Sequence, residues 1–411
     1  MAACTSQSGH NVPEFVTVKD GKFYRGDSVY RYIGANLWYG AMLGIDGPGG
    51  DRARLVRELD SLKAMGIDNL RILAGAQGPE GRRYHVEPVM QYAPGVYNQQ
   101  ALEGLDFLLA EMEKRNMLAV LYLNNAWEWS GGYGSYLEWA GMGEAPLPVE
   151  CPYKEYTDFV ARFITNDSAR SMFADHVAAV VGRVSSVTGK PYAESPAIMS
   201  WQICNEPRAF DRANKEEFAS WLRSVAAQIK SIDSNHLVST GSEGVFGCEV
   251  DMDLWTRIHS FPEIDYANIH IWPYNWRWVA DSTLMTEIDT ARAYTRRYIS
   301  EHHKRIAPVG KPLVLEEFGY PRDSMAIALG SPVEARDAYY DDVFAAVCDS
   351  DIVAGCNFWG WGGDAVPVHK MWTPGDPYTG DPAQEPQGLY SVFAGDSTTV
   401  ALIRRWTDRL R

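Results

Sequence analysis

Ala197-Ile198-Met199-Ser200-Trp201-Gln202-Ile203-Cys204 runs directly into Asn205-Glu206-Pro207-Arg208, so a strand-like apolar stretch ends on an amide, a carboxylate and a proline. Further along, Leu313-Val314-Leu315-Glu316 leads into Glu317-Phe318-Gly319 in the same manner. Continuous apolar runs mark strands buried on both faces, and parallel strands of a closed barrel deliver their terminal side chains to one end. Two carboxylates meeting there can flank a glycosidic bond. An acid at a strand end can also cap the next helix. Capping does not explain why Pro207 closes the first run, or why two adjacent acids end the second.

Outward from these two runs, short apolar segments recur at Tyr32 to Asn36, Asp68 to Leu73, Leu118 to Asn124, Leu237 to Thr240, Ala267 to Ile271 and Ala354 to Phe358. Between them lie stripes at helical spacing: Leu55, Leu59, Leu62 and Met65; Leu102, Leu105, Leu109 and Met112; Phe218, Trp221, Val225 and Ile229. Further helices are expected around Phe159 to Val184, Leu284 to Ile299 and Glu334 to Val347. Eight strands alternating with helices predict an α/β protein, a (β/α)8 TIM barrel with long loops after its strands. The 411 residues suit one such domain over 16–411, preceded by an irregular tail over 1–15.

A net charge of -15 argues against nucleic acid or an anionic membrane surface as partner. A neutral polymer is compatible, and no stretch reaches the length of a membrane span. The 14 Trp and 22 Tyr supply faces that stack on sugar rings as well as core filling. Six Cys show no CxxC pair and no cluster with His at metal spacing. Cys204 and Cys356 read as small buried apolar residues, and no catalytic thiol is expected. Met1-Ala2-Ala3-Cys4 has two readings: an ordinary irregular start, or the end of a lipoprotein signal with Cys4 as the lipid-bearing residue. The second would place the protein outside the cytoplasm, secreted, periplasmic or lipid-anchored.

In a barrel the loops after the strands carry the chemistry, and here they are rich in aromatics and amides. Trp127 and Trp129 follow Asn124-Asn125, Trp272 opens a run through Trp276 and Trp278, and Trp359-Gly360-Trp361 precedes a long loop reaching Pro386. Arg71 interrupts an apolar strand, where a charge-assisted hydrogen bond can hold a carboxylate ionised. The alternative is an Arg reaching solvent from the strand end. His270 ends another strand, as a bond to a carboxylate or sugar hydroxyl or as a satisfied core histidine. Trp359 is either a floor under the sugar or core filling. A regular strand turns only one of Glu316 and Glu317 to the cleft, and a bulge would change which.

Asn205-Glu206-Pro207, Glu317-Phe318-Gly319, Arg71, His270 and Trp359, spread over eight strand–helix units, make the chain resemble glycoside hydrolase family 5. Within it, the chain is similar to the endo-β-1,4-mannanases through Gly34 to Tyr39, which includes Trp38, through Pro94 to Tyr97, through Asn124-Asn125 with Gly131-Gly132, and through Gly241-Ser242-Glu243-Gly244. A segment like Gly380 to Gly388 is shared with bacterial members. The resemblance implies Glu206 as acid/base and Glu317 as nucleophile, with Arg71, Asn205, His270, Trp272, Trp359, Trp38 and Trp127 around the sugar. Many members have Tyr where this chain has Trp272, and an indole N–H can only donate. The function implied is retaining endo-hydrolysis of β-mannan by a monomer without metal or organic cofactor. A β-1,4-glucanase, an exo-β-mannosidase, and a carbohydrate-binding protein without turnover are the alternatives.

Overall fold

The apolar runs of the sequence lie side by side in the computed structural model, which describes residues 15–411. The eight parallel strands are β1 (Tyr32–Asn36), β2 (Asn69–Leu73), β3 (Leu118–Tyr122), β4 (Ile198–Gln202), β5 (Leu237–Ser239), β6 (Ala267–Ile271), β7 (Leu313–Phe318) and β8 (Gly355–Phe358). They follow the order β5-β4-β3-β2-β1-β8-β7-β6, and every residue in them is buried because helices cover the outer face.

The ladder has a seam between β5 and β6, which side chains close. Asp265 Oδ2 accepts the Val238 N–H at 2.6 Å, and Asn268 Oδ1 accepts the N–H groups of Thr240 and Gly241 at 3.1 and 2.9 Å. Asp265 N in turn donates to Val238 O at 2.8 Å. Carboxylate and amide oxygens thus take backbone donors that β5, only three residues long, cannot pair with a neighbouring strand.

An outer helix packs after each strand: α1 (Arg52–Ala64), α2 (Gln99–Lys114), α3 (Asp167–Val181), α4 (Lys215–Ile232), α5 (Met252–His259), α6 (Ile288–Ile306), α7 (Glu334–Cys348) and α8 (Ser397–Leu410), with further short helices at Gly40–Leu43, Gly132–Trp139 and Tyr153–Val160. Asp51, Asn98, Asn166 and Asp251 cap α1, α2, α3 and α5 by accepting backbone N–H groups of the first turn. The single helix expected over Phe159 to Val184 is divided. A helix Tyr153–Val160 passes into a 3₁₀ turn Ala161–Thr165, and α3 starts afresh at the Asn166 cap.

Ahead of β1 lies an element that the apolar runs did not indicate. Strands Val16–Lys19, Lys22–Arg25 and Ser28–Tyr30 form an antiparallel sheet, turned at Asp20-Gly21 with φ of 49° and 72°. Positive φ at both central residues is the requirement of the tight hairpin turn. Phe23 and Tyr30 from this sheet pack with Tyr32, Leu118, Val120, Met199, Leu237, Tyr266 and Val314 in one apolar cluster. The first residues of the strands contribute most of that cluster, so the sheet stoppers the N-terminal mouth of the barrel. The opposite mouth is left for polar groups.

Three buried histidines around the barrel are held neutral. His302 Nε2 accepts the Val245 N–H at 2.9 Å while its Nδ1 meets Tyr298 O; His259 bridges Trp255 O and the Thr240 hydroxyl; His176 bridges Ala74 O and the Tyr97 hydroxyl. Burial pushes His176 and His302 down to about 4 and His259 down to about 3. Unfolding releases them to the ordinary value near 6.5, so the unfolded chain binds the extra protons. Their neutral burial costs nothing above that pH, and stability is lost as pH falls from about 6.5 toward 4. Melting curves should show the midpoint falling over that interval, and a midpoint constant from pH 7 to pH 4 would contradict it.

Candidate active site

Above the apolar stopper, the barrel interior changes character. Asn36 at the end of β1, Arg71 on β2, Gln202 at the end of β4, His270 on β6 and Glu316 and Glu317 on β7 form a buried polar layer. Arg71 is its centre. The guanidinium donates through Nε to Gln202 Oε1 at 2.8 Å, through Nη2 to Asn205 Oδ1 at 2.9 Å, and through Nη1 to Asn36 Oδ1 at 3.2 Å and Glu317 Oε1 at 2.5 Å. Its plane also lies 4.4 Å over the Tyr122 ring. Arg71 is fully buried, so it does not reach solvent from the strand end.

The choice between the two glutamates of β7 is made by a register shift. Ile269 pairs with Leu315, but His270 pairs with Glu317, so Glu316 is skipped. Such an irregularity lets consecutive residues depart from strict alternation. Both carboxyls therefore point inward at different depths. Glu317 reaches Arg71, His270 and the Trp272 indole N–H, which lies 3.3 Å from Oε2. Glu316 has no exposure and accepts the Gln202 amide N–H at 2.5 Å.

Glu206 is aimed by a bend. After β4 the chain bonds alternately to its neighbours, with Asn205 N to Asn124 O at 2.8 Å and Glu206 N to Gly241 O at 3.0 Å. Glu206 then takes φ of 48°, a left-handed conformation uncommon outside glycine and found where a site dictates it. Its carboxyl accepts from His270 Nδ1 at 2.8 Å and from the Trp127 indole N–H. One oxygen of Glu206, one of Glu317 and a ring nitrogen of His270 all lie within 4.8 Å of one another. Carboxyls this close match the roughly 5–5.5 Å of retaining glycosidases rather than the roughly 6.5–9.5 Å of inverting ones.

The electrostatics hold Glu317 ionised. Burial alone would raise Glu317, but the charges of His270 and Arg71 and their hydrogen bonds overcome it and hold the carboxyl below its ordinary value. Burial opposes charge on His270 as well; the Glu317 charge and the bonds to both glutamates outweigh it and lift the imidazole to about 9. At neutral pH the site thus holds an ionised Glu317 between two cations, with Glu206 beside it at the same nitrogen, Nδ1, of His270. That is a nucleophile paired with a carboxyl placed to give and take a proton.

Of the other residues singled out in the sequence, Asn205 is held by Arg71 and by Asn125 Oδ1 at 3.2 Å. Trp359, just past β8, donates its backbone N–H to Phe318 O at 2.8 Å and packs edge-on to Trp272 and Trp129, a wall beside Glu317. Trp127 holds Glu206 and lies under the Arg208 guanidinium, which pairs with Glu243. Trp38 departs from expectation. It is 1% exposed, donates to Gly380 O at 3.2 Å and packs on Tyr39, Trp129 and Tyr378, so it offers no face to a sugar and supports the loops instead.

The loop after β8 adds a residue that strand-end reasoning missed. Asp381, fully buried, accepts the N–H groups of Gly388, Tyr390 and Ser391 and pins this loop at its base. Glu385 at its tip borders a cavity of about 740 Å³ with Tyr274, Asn275, Trp278 and Tyr390, and burial pushes its carboxyl well above the ordinary value. The segment Gly380 to Gly388 was legible as a point of resemblance, but not as the border of this cavity. At the other end of the loop, Tyr378 packs on Tyr39 and its hydroxyl meets Gly49 O and Glu87 O at 2.9 and 2.7 Å, closing one side of the mouth.

Comparison with known proteins agrees with this geometry. A family model described as GH family 5 beta-mannosidase-like matches residues 13–411. The chain is 29% identical to mannan endo-1,4-beta-mannosidase 1 of Arabidopsis thaliana, over 100% of this chain and 92% of that one. It is 36% identical to a glycoside hydrolase family 5 mannosidase from Rhizomucor miehei, with TM-score 0.88 over 97% and 98% of the two chains. A mutant of that mannosidase, solved in complex with mannosyl-fructose, superposes with TM-score 0.89 at 36% identity, over 96% and 97% of the chains. The endo-beta-1,4-mannanase of Thermotoga petrophila, 24% identical with TM-score 0.69 over 93% and 77%, shares the fold.

Proposed function

Because the chain belongs to glycoside hydrolase family 5, in its β-mannosidase-like division, we propose that it hydrolyses β-1,4-mannosidic linkages within mannan, glucomannan or galactomannan with retention of configuration. The observation that carries this reading is the placement of Glu206 and Glu317 together at Nδ1 of His270, 2.8 and 3.3 Å from it, at the separation of a double displacement. Glu317 attacks the anomeric carbon as the glycosidic C–O bond breaks, and Glu206 passes its proton to the departing oxygen. Water then adds to the mannosyl-enzyme, giving a proton to Glu206 and releasing the Glu317 carboxylate. Asn205, fixed by Arg71, is placed to bond the 2-hydroxyl, an interaction that strengthens in the transition state.

Endo action is the first reading, in line with relatives named mannan endo-1,4-beta-mannosidase. Exo action is the second, and the observation behind it is that the Tyr378 hydroxyl ties the loop after β8 to the loops after β1 and β2 through Gly49 O and Glu87 O. Mannopentaose and mannan decide between them. Early oligosaccharides of mixed length are expected, first released as the β-anomer by NMR. Mannose as the sole product from the first turnover would replace endo by exo, and release of the α-anomer would overturn the mechanism.

The reading extends to a monomer acting outside the cytoplasm on a neutral polysaccharide, consistent with the net charge of -15. Cys4, the candidate lipid-bearing residue, lies outside the described residues, as does most of the expected tail over 1–15. The affinity with bacterial members rests on Gly380 to Gly388 alone; the mannan endo-1,4-beta-mannosidases compared come from plants, and the mannosidase structures from a fungus.

A further inference from the structure

We propose that Glu316, which touches no substrate, is a positioning residue whose buried negative charge keeps the proton on Glu206 while Arg71 and His270 are both charged. The inference rests on the proposed roles of Glu206 and Glu317.

Charge balance in a closed layer is the basis. Arg71 and His270 bring two positive charges into a region with no solvent exposure, and Glu317 supplies one negative charge. A second negative charge is needed. If Glu316 is ionised, the layer is neutral with Glu206 protonated, the form that donates to a leaving group. If Glu316 is neutral, the balance falls to Glu206 as carboxylate, which cannot donate.

Geometry favours the ionised form. Glu316 Oε2 accepts the Gln202 amide N–H at 2.5 Å and faces His270 Nε2 at 4.0 Å, while Oε1 is buried without a partner. Oε1 has no close partner, and the Tyr266 hydroxyl that faces this carboxyl favours its ionised form by donating to it. Gln202 is oriented by the same arrangement, since its oxygen takes the Arg71 Nε–H and leaves its N–H for Glu316.

The groups facing Glu316 are Arg71 from β2, His270 from β6, and the hydroxyls of Tyr32 from β1 and Tyr266 just before β6. Burial pushes the Glu316 carboxyl above its ordinary value, and Arg71, His270, the Gln202 N–H and the Tyr266 hydroxyl offset only part of that rise. Around Glu206 the facing groups are His270, Glu317, Arg71, Trp127, Tyr153, the Arg208–Glu243 pair and Glu385, whose carboxyl burial holds well above its ordinary value. Arg208 and Glu243 cancel each other, so Glu316 is the charge whose removal unbalances the site.

The test is the pH profile of kcat/KM for Glu316→Gln on a mannan oligosaccharide, beside wild type. Without the buried charge, Glu206 gives up its proton earlier, and the alkaline limb should move down by about one pH unit, the scale of one charge acting across a buried separation at an effective dielectric near 20. Glu316→Asp, which keeps the charge, should return the limb toward wild type even where kcat is lower. A folded Gln variant with an unmoved limb would overturn the proposal, whatever its kcat. If the Gln variant does not fold, Glu316→Met is read by the same criterion. Should only Asp fold, Glu316 is a folding requirement and the proposal fails. Inactivity of wild type on mannosides would instead fault the assigned reaction.

Discussion

Glu317→Ala should lower kcat/KM on manno-oligosaccharides by at least about 10⁴-fold, because no other carboxyl of the site can reach the anomeric carbon and loss of a nucleophile removes a step rather than a contact. Glu316, its neighbour in sequence, does not substitute: it lies deeper, bonded to Gln202, with no exposure. The variant loses the Arg71–Glu317 pair, and breaking a buried pair usually costs about 3–5 kcal/mol. Arg71 keeps Asn36, Gln202 and Asn205, so the loss should fall toward the lower end and the protein should remain folded. The cavity left by the carboxylate admits a small anion. With azide and an activated aryl β-mannoside, turnover should return through one displacement, giving the α-azide. A Glu317→Ala variant with wild-type activity, or one whose azide product retains the β configuration, would exclude Glu317 as nucleophile.

The barrel was readable because its strands are buried on both faces. A continuous apolar run such as Leu118 to Tyr122 has no second interpretation between amphipathic helices. The N-terminal sheet escaped because Val16 to Tyr30 is half exposed and interleaved with charges, so its runs are too short to stand out. Its one strong signal, Asp20-Gly21 between alternating residues, was present and is a hairpin signature. The division of the helix at Asn166 was also written locally, in an Asn followed by Asp and Ser, a cap that outweighed the apolar stripe on either side.

For the site, the two glutamates and their strand-end positions were legible, since each follows an apolar run. Strand alternation alone did not choose between Glu316 and Glu317, and only the resemblance pointed to Glu317, because how β6 pairs with β7, with a skip at Glu316, leaves no mark on either strand by itself. Trp38 shows the opposite failure. A tryptophan just after β1 looks like a sugar platform, yet Gly380 comes back from a distant loop to take its N–H, and Tyr378 covers its ring. Contacts made by the loop after β8 depend on where Asp381 anchors it, and only the folded chain shows that.

Glu206→Ala should discriminate between leaving groups, unlike Glu317→Ala. Expelling a sugar alkoxide needs a proton, so on mannan or mannotriose kcat/KM should fall by about 10²–10⁴-fold, the usual worth of general acid catalysis. A dinitrophenyl β-mannoside departs as a stable anion without one, and the first displacement by Glu317 should proceed at close to the wild-type rate. The second step still lacks its base. The mannosyl-enzyme should therefore accumulate, giving a burst equal to the enzyme concentration and a lowered KM. His270 Nδ1 keeps Glu317 as an acceptor at 3.3 Å, so the nucleophile retains both its cations when Glu206 is removed. This asymmetry between substrates separates loss of a proton donor from collapse of the site, because collapse would slow both substrates alike. Equal losses on mannotriose and the dinitrophenyl mannoside, with no burst, would remove Glu206 from the acid/base role.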